Sequence, residues 1–491
     1  MTHPISSKFD AVIIGSGAGG SAAAYKLATA GLQVAVVEKG RELPRDSSTL
    51  DFDKVVHRGL FRSKEQWLDG RGRPFAPEEY FNVGGKTKWY GAALLRYGRH
   101  EFEADAAHQC LAWPIDYDEL RPYYEEAEAL LGIRSFEAER NLADILGRLQ
   151  RGSSTWRSEK LPLGLARTIL DHPLEARRFD GFASVAGLKA DGETAFLSKL
   201  RGMPNVRLLT GVAAAELMGE PGNPRHIAGV RLADGRVLHA RSVLLAAGAL
   251  HSPRLLAQYL SSSGLVSQLP AAASVGRNLK LHLLTALVAV SLSRKTDVIR
   301  KTTLLLNDAL PHSSIQPLGF DGELIATLVP KIAPRFLAKM IGQRSYGFFL
   351  QTEDGSHPDN RVNGGAVPTM NYDATRLGPA VQQHMRLVTS FKRALGSAGS
   401  LAFSERIGPA GTAHACGTLV TGTDARQSVV DASGLVHGME ALYVVDGSIL
   451  PRSSRVNPSL TIYSWSLRVA RALARRLYEG QPAARREVVP S

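Results

Sequence analysis

The stretch that most constrains this chain is Phe9–Gly40. FDAVII is a short apolar run, the pattern of a strand buried on both faces. GSGAGG follows and sets Gly15, Gly17 and Gly20 in G-x-G-x-x-G spacing. SAAAYKLATAG then reads as a helix with small residues on its sheet side, ended by Gly31. QVAVVEKG is a second strand, and it delivers Glu38, 23 residues beyond Gly15. A bound dinucleotide gives each part a reason. Gly15 permits the tight turn, Gly17 admits the pyrophosphate to the backbone, and Gly20 lets the helix lie close to the strand. The helix amino terminus meets the phosphates, and Glu38 takes free ribose hydroxyls rather than a 2′-phosphate. The motif alone leaves NAD and FAD open. Its place at the head of a long chain points to FAD.

The chain has 491 residues, enough for two or three packed domains. Ordinary apolar and charged fractions, 44% and 21%, exclude a disordered or fibrous chain. Its two cysteines, Cys110 and Cys416, exclude a disulfide scaffold, an all-cysteine zinc site and a cysteine-held iron–sulfur cluster; no metal is expected. The net charge of +13 is spread through scattered, mostly arginine, side chains without a basic run, so no nucleic-acid partner is expected. The apolar run LLTALVAVSL (283–292) is half a membrane span and reads as a buried strand. Phe9–Ile14 leaves no room before it for a secretory leader, so a cytoplasmic location is expected.

Behind the first unit, Gly84–Gly85 forms a second glycine turn, and 113–131 ends as an acidic helix. Residues 205–217 and 227–249 read as strands, with Asp234–Gly235 as a hairpin turn. LYVVDGS (442–448) is a strand, and a terminal helix covers roughly 460–478. Residues 135–200 give only short helical pieces. From Pro334 a short basic helix carries Phe336, Leu337, Met340 and Ile341 beside Arg335, Lys339 and Arg344, with Lys331 before it. Two readings stand for it: a solvated face lying over the core, which is favoured, and a surface that touches membrane.

Four separated blocks carry a resemblance: GSGAGG…VVEKG (15–40), VGGKTKWYGAALLR (83–96), VLLAAGALHSPRLL (243–256) and HACGTL…VVDGSILPRSSRVNPSLTI (414–462). With VGRNLKLH (275–282), they resemble the glucose–methanol–choline (GMC) oxidoreductases, in family order along nearly the whole chain. The TKWYGAALLR and PYYEEAE passages look closest to the sugar- and glycoside-oxidising branch. The resemblance implies an α/β fold: a Rossmann-type FAD-binding domain from 1–105, 200–282 and 405–491. Interleaved with it is a substrate domain of mainly antiparallel sheet plus helices, from 106–199 and 283–404. It implies FAD bound through Gly15, Gly17, Gly20, Glu38, Gly84, Gly85, Val212, Asp446, Gly447 and the helix start at Pro458. It also implies His414 and Asn457 as catalytic residues.

The chemistry agrees with that pair. Oxidising an alcohol removes a hydroxyl proton, which a neutral imidazole accepts, and a hydride, which flavin N5 accepts. Asn457 would hold the oxygen as it gains charge. Three departures from the family pattern matter. Leu281 stands where an aspartate is usual. Trp89 stands near the histidine that attaches FAD in some relatives, so non-covalent FAD is expected. The cysteine-rich insertion of multi-subunit relatives is absent. His251, His282 and His437 are expected to be structural or surface histidines, Cys416 a packed residue, and aromatic residues near 84–97 to border the flavin ring. The expected partners are a small-molecule alcohol, namely a sugar, glycoside or polyol, and an acceptor: oxygen, a quinone or a redox protein. Rival readings are a nicotinamide-dependent dehydrogenase, a membrane-associated dehydrogenase of a lipophilic alcohol, and a non-catalytic lipid- or nucleic-acid-binding protein.

Overall fold

The computed structural model describes residues 8–327, 334–411 and 414–479. The chain opens with β1 (Lys8–Ile14), α1 (Ala18–Thr29) and β2 (Val34–Glu38). It continues through α2 (Tyr117–Leu131), α3 (Arg140–Gly152) and β3 (Trp156–Lys160). Four strands follow: β4 (Val206–Thr210), β5 (Ala214–Glu220), β6 (Asn223–Leu232) and β7 (Val237–Leu245), then α4 (Ser252–Ser262). Next come β8 (Leu283–Val290), β9 (Thr303–Asn307), β10 (Ser313–Pro317), α5 (Arg335–Gln343) and β11 (Ser345–Thr352). The described chain closes with α6 (Gly378–Ser397), β12 (Leu401–Ile407), β13 (Leu442–Val444) and α7 (Ser459–Glu479).

Two sheets organise these elements. The first runs β4-β2-β1-β7-β6-β5, with β13 also on β7. Its β4-β2-β1-β7 part is parallel, as is the β7–β13 pair, and β5, β6 and β7 form an antiparallel meander. Apolar runs can occupy its centre because both faces are covered: Ala11–Ile13 and Val34–Val36 are fully enclosed. Helix α1 packs on β1 through small residues. A side-chain carbon at Gly20 would lie 1.9 Å from the Gly15 carbonyl oxygen, so only glycine admits this approach. The hairpin between β6 and β7 turns at Asp234–Gly235, where Gly235 takes a φ of 88°.

The second sheet, β12-β8-β11-β10-β9-β3, is antiparallel throughout. Helices α3 and α6 cover one face, with Leu142, Ile145, Leu387 and Phe391 packed on Leu287, Ile315, Phe348 and Leu350. Because side chains alternate along a strand, Ser314 and Gln316 point away from that core. Ser314 donates to the Arg455 carbonyl, so this opposite face meets the segment that leads into α7.

Two elements differ from the sequence reading. Strand β3 lies in a region read as short helical pieces. Only Trp156 of WRSEK is buried, so an edge strand left no apolar alternation to detect. On α5, Phe336 is 75% and Met340 42% exposed, so the favoured placement of its apolar side over the core does not hold. The helix docks through Gly342 against Gly322, with Leu337 and Ile341 half-buried and Phe336 and Met340 turned outward. Lys331 lies outside the described residues.

Candidate active site

The first glycine turn ends β1 and faces a cavity of about 1020 Å³. Gly15 has a φ of 105°, which no other residue adopts without strain. Ser16 ties this turn to β2. Its backbone N–H and hydroxyl donate to Glu38 Oε2 at 3.0 and 2.6 Å, and Gly40 N–H donates to Oε1 at 2.8 Å. Burial pushes the Glu38 carboxyl up, and these bonds oppose the shift. The second turn closes on the first, since Gly84 N–H donates to Ser16 Oγ at 3.0 Å.

Asp446 knits the far side. Its carboxylate accepts from Gly248 N–H at 2.8 Å, Ser448 N–H at 2.9 Å, and the Ser252 and Ser448 hydroxyls. The sequence blocks meet here. Gly276 N–H donates to the Thr418 carbonyl, Gly417 N–H to that of Gly447, and the Thr418 hydroxyl to that of Ala249. Lys280 and Cys416 pair as a short bridge, which brings His282 beside His414.

His414 is half-buried in the cavity wall, and its ring meets that of His282 edge to face at 5.0 Å. Burial, with His282 and the Lys301 and Lys86 ammonium groups nearby, holds the His414 imidazole well below its usual range. The ring is therefore neutral at pH 7, the state a base requires. Asn457 Nδ2 lies 3.4 Å from His414 Nε2, and Asn457 Oδ1 accepts from Gln316 Nε2 at 2.6 Å. This edge offers a lone pair and an N–H donor side by side. A hydroxyl group needs that combination: it donates to the first and accepts from the second. His282 Nε2 faces the carbonyls of Ser453 and Ser454 at 3.0 and 2.9 Å, and so carries the proton. Those bonds fix the turn two residues before Val456–Asn457.

Gly15, Gly17, Glu38, Gly85, Asp446, Gly447, Pro458 and His414 all line the one cavity. Gly20 packs behind it, and Gly84, Val212 and Asn457 are not among its lining residues; Asn457 reaches the site through its contact with His414. Val212 N–H is bonded to the Glu38 carbonyl at 3.3 Å. The aromatic residues expected beside the ring turn away: Trp89 stacks on Tyr80 and donates to Asn82, and Tyr90 donates to the Ala190 carbonyl. Lys86 and Thr87 take that wall instead. His251, read as structural, lines the cavity; His437 bonds the Ser428 hydroxyl and the Gly422 carbonyl. Gln316 was missed because its short strand shows no clear alternation and its partner Asn457 lies 141 residues away.

The cavity fits a dinucleotide on its own terms. It runs from Glu38 and Lys39 along the amino terminus of α1 to His414 and the start of α7. Its walls at the turn are bare backbone, and two helix amino termini point inward, the setting of a pyrophosphate. A family model described as "FAD dependent oxidoreductase" matches residues 10–281, and one described as "GMC oxidoreductase" matches residues 385–465. The chain is a GMC oxidoreductase.

Two curated relatives are similar to this GMC oxidoreductase along nearly its full length. "Paromamine 6'-oxidase" of Streptomyces fradiae is 29% identical over 95% of this chain and 91% of that one. "6'''-hydroxyparomomycin C oxidase" of Streptomyces lividus is 29% identical over 96% and 92%. Among solved structures, a pyridoxine 4-oxidase ("Mesorbium loti") aligns with TM-score 0.69 and 19% identity over 96% of this chain and 100% of that one. An Aspergillus oryzae formate oxidase variant aligns with TM-score 0.70 and 16% identity over 96% and 99%. These two structures show the same fold. The GMC oxidoreductase is thus an FAD-dependent enzyme that oxidises an alcohol CH–OH group. Among the described residues, no helix is long and apolar enough to cross a membrane.

Proposed function

We propose that this enzyme oxidises a hydroxyl group of a sugar or glycoside, with His414 as the base and Asn457 as the oxygen holder. The observation that carries the reading is the neutral His414 on the cavity wall, whose Nε2 stands beside an Asn457 amide N–H. The flavin supplies the hydride acceptor. His414 Nε2 takes the hydroxyl proton, and Asn457 Nδ2 donates to the oxygen more strongly as negative charge develops on it. Glu38 would hold the ribose, and the turns at Gly15–Gly17 and Gly84–Gly85 the pyrophosphate and ring edge. Gly20 serves the helix approach, and Val212, through its bond to Glu38, the adenine wall. Asp446 and Gly447 shape the ribityl and phosphate side, and α7, starting after Pro458, directs its amino terminus at the ring.

Sugar and glycoside substrates are supported by the two relatives named for paromamine and 6'''-hydroxyparomomycin C. The same reading divides the chain into an FAD-binding domain of 1–105, 200–282 and 405–491 and a substrate domain of 106–199 and 283–404, which puts the first sheet in the former and most of the second in the latter. Non-covalent FAD is supported by Trp89, which is packed on Tyr80 and not on the cavity. The acceptor is oxygen, a quinone or a redox protein. A cytoplasmic setting is supported by two free, buried thiols at Cys110 and Cys416, and cell fractionation checks it.

An anaerobic screen of sugars, glycosides and simple alcohols against the yellow holoenzyme tests this reading. Flavin bleaching by sugars or glycosides supports it, and the speed of recolouring in air separates oxygen from another acceptor. Bleaching by simple alkanols alone overturns the substrate class. A second reading, a lipophilic alcohol taken from a membrane surface, is favoured by the exposed Phe336 and Met340 beside Arg335 and Lys339. It fails if the protein does not co-sediment with phosphatidylserine vesicles.

A further inference from the structure

The amide of Asn457 has two ends of nearly equal shape, and only one of them donates. Its own backbone does not decide which end meets His414. Strand β10 reaches the group from the other sheet. Ile315 packs under α3 and α6, so Gln316, itself only 5% exposed, emerges on the opposite face. We infer that Gln316 is a positioning residue: it fixes the Asn457 amide with its N–H end toward His414 and the substrate oxygen. This rests on the roles of His414 and Asn457 proposed above.

Two observations carry it. Gln316 Nε2 donates to Asn457 Oδ1 at 2.6 Å, much the shorter of the two contacts of this amide. The backbone around Asn457 is held from both sides. Ser314 Oγ donates to the Arg455 carbonyl, and the Glu101 carboxylate accepts from Arg455 N–H at 3.0 Å and from the Ser454 hydroxyl at 2.6 Å. Turning the amide by half a revolution would then set donor against donor at Gln316 and acceptor against the neutral His414 Nε2. With the Gln316 amide placed as it is, both contacts would be lost together, which favours the observed orientation. The arrangement also makes the second sheet part of the reacting geometry, because the residue that orients Asn457 comes from β10.

The test uses holoenzyme carrying Gln316→Met, Gln316→Glu, Asn457→Ala and the Gln316→Met/Asn457→Ala pair. The probe is the sugar or glycoside that bleaches the flavin fastest in the screen above. Gln316→Met keeps the volume and removes the donor. It is expected to slow anaerobic flavin reduction about 10-fold, with half-saturation, the flavin spectrum and the unfolding midpoint little changed. Added to Asn457→Ala it should slow nothing further, since the amide it orients is gone. Gln316→Glu gives a readout that a structural role would not move. At high pH its carboxylate turns the amide around. As pH falls and the carboxyl gains a proton, it can donate to Asn457 Oδ1 again, so its rate relative to the parent at the same pH should rise. In 15N-histidine spectra of the oxidised holoenzyme, the reversed amide should raise the titration of His414 in Gln316→Glu. Parent-like reduction in Gln316→Met while Asn457→Ala is impaired overturns the inference, as does an additive double variant. If Asn457→Ala itself reduces at the parent rate, the proposed site falls, and that arm shows it separately. Should Gln316→Met fail to hold FAD, the isosteric Gln316→Glu carries the test through its pH dependence.

Discussion

Asp446→Asn changes one atom at the point where the cavity wall is assembled. The parent carboxylate accepts four hydrogen bonds, from Gly248 N–H, Ser252 Oγ, Ser448 N–H and Ser448 Oγ, and is 4% exposed. An amide keeps one acceptor oxygen. Whichever way it turns, its NH₂ end confronts a backbone N–H, either of Gly248 or of Ser448. A buried donor left without an acceptor costs about 1–3 kcal/mol. The surviving bonds lose their charge assistance, roughly another 1 kcal/mol. The sum, about 2–4 kcal/mol, falls on two segments that line the cavity. If it is expressed in cofactor affinity, the FAD dissociation constant rises roughly 30- to 700-fold. Flavin fluorescence quenching on titration of apoprotein measures the affinity, and urea unfolding of the same apoprotein measures what falls on the fold. Ser448→Ala removes one hydroxyl donor and leaves the carboxylate three partners, so its loss should stay near 1 kcal/mol. Asp446→Asn that binds FAD within about threefold of the parent and unfolds at the same urea concentration would refute this reasoning.

Two further outcomes follow from the packing. Gly20→Ala should abolish FAD binding and lower stability, because its methyl would sit 1.9 Å from the Gly15 carbonyl oxygen; Gly17→Ala, whose methyl meets nothing within 4 Å, should unfold like the parent yet bind FAD more weakly. Urea curves and FAD titrations of the two variants check the contrast. His384 is held between the Thr285 and Thr352 hydroxyls at 2.7 and 2.8 Å, and burial pushes its imidazole down to about 3. The unfolded chain takes up this proton near pH 6.5 and the folded one does not, so the stabilisation is complete above pH 6.5 and is lost as pH falls toward 3. Unfolding free energy should drop by roughly 3 kcal/mol between pH 7 and pH 4 from this group. In His384→Asn that part of the slope should be missing, and an unchanged slope would contradict the assignment.

Much of the first sheet was legible because its signals are local. β1, the glycine turn, α1 and β2 occupy one continuous stretch, and each residue type answers to a neighbour within it. The blocks at 275–282, 414–418 and 446–448 carried their resemblance in sequence. That they hydrogen-bond to one another depends on chain paths no short window contains. Gln316 was invisible for that reason. Ser313–Pro317 shows no clear alternation in sequence, and its partner lies 141 residues away. The Glu101 clamp on Ser454 and Arg455 spans a still larger separation. His282 was read as structural because a lone histidine gives no sign of which ring it will face. The aromatic residues at 89 and 90 misled for the opposite reason. They follow the glycine turn closely, but the short helical turn at Gly85–Lys88 rotates them into the protein, and Lys86 and Thr87 face the cavity in their place.

The central claim is that His414 removes the hydroxyl proton of the substrate. Anaerobic mixing of His414→Ala holoenzyme with the best reducing sugar or glycoside tests it most directly. The account predicts a variant that binds FAD with the parent absorbance spectrum and whose flavin stays yellow on the timescale in which the parent bleaches. Bleaching at the parent rate would contradict it.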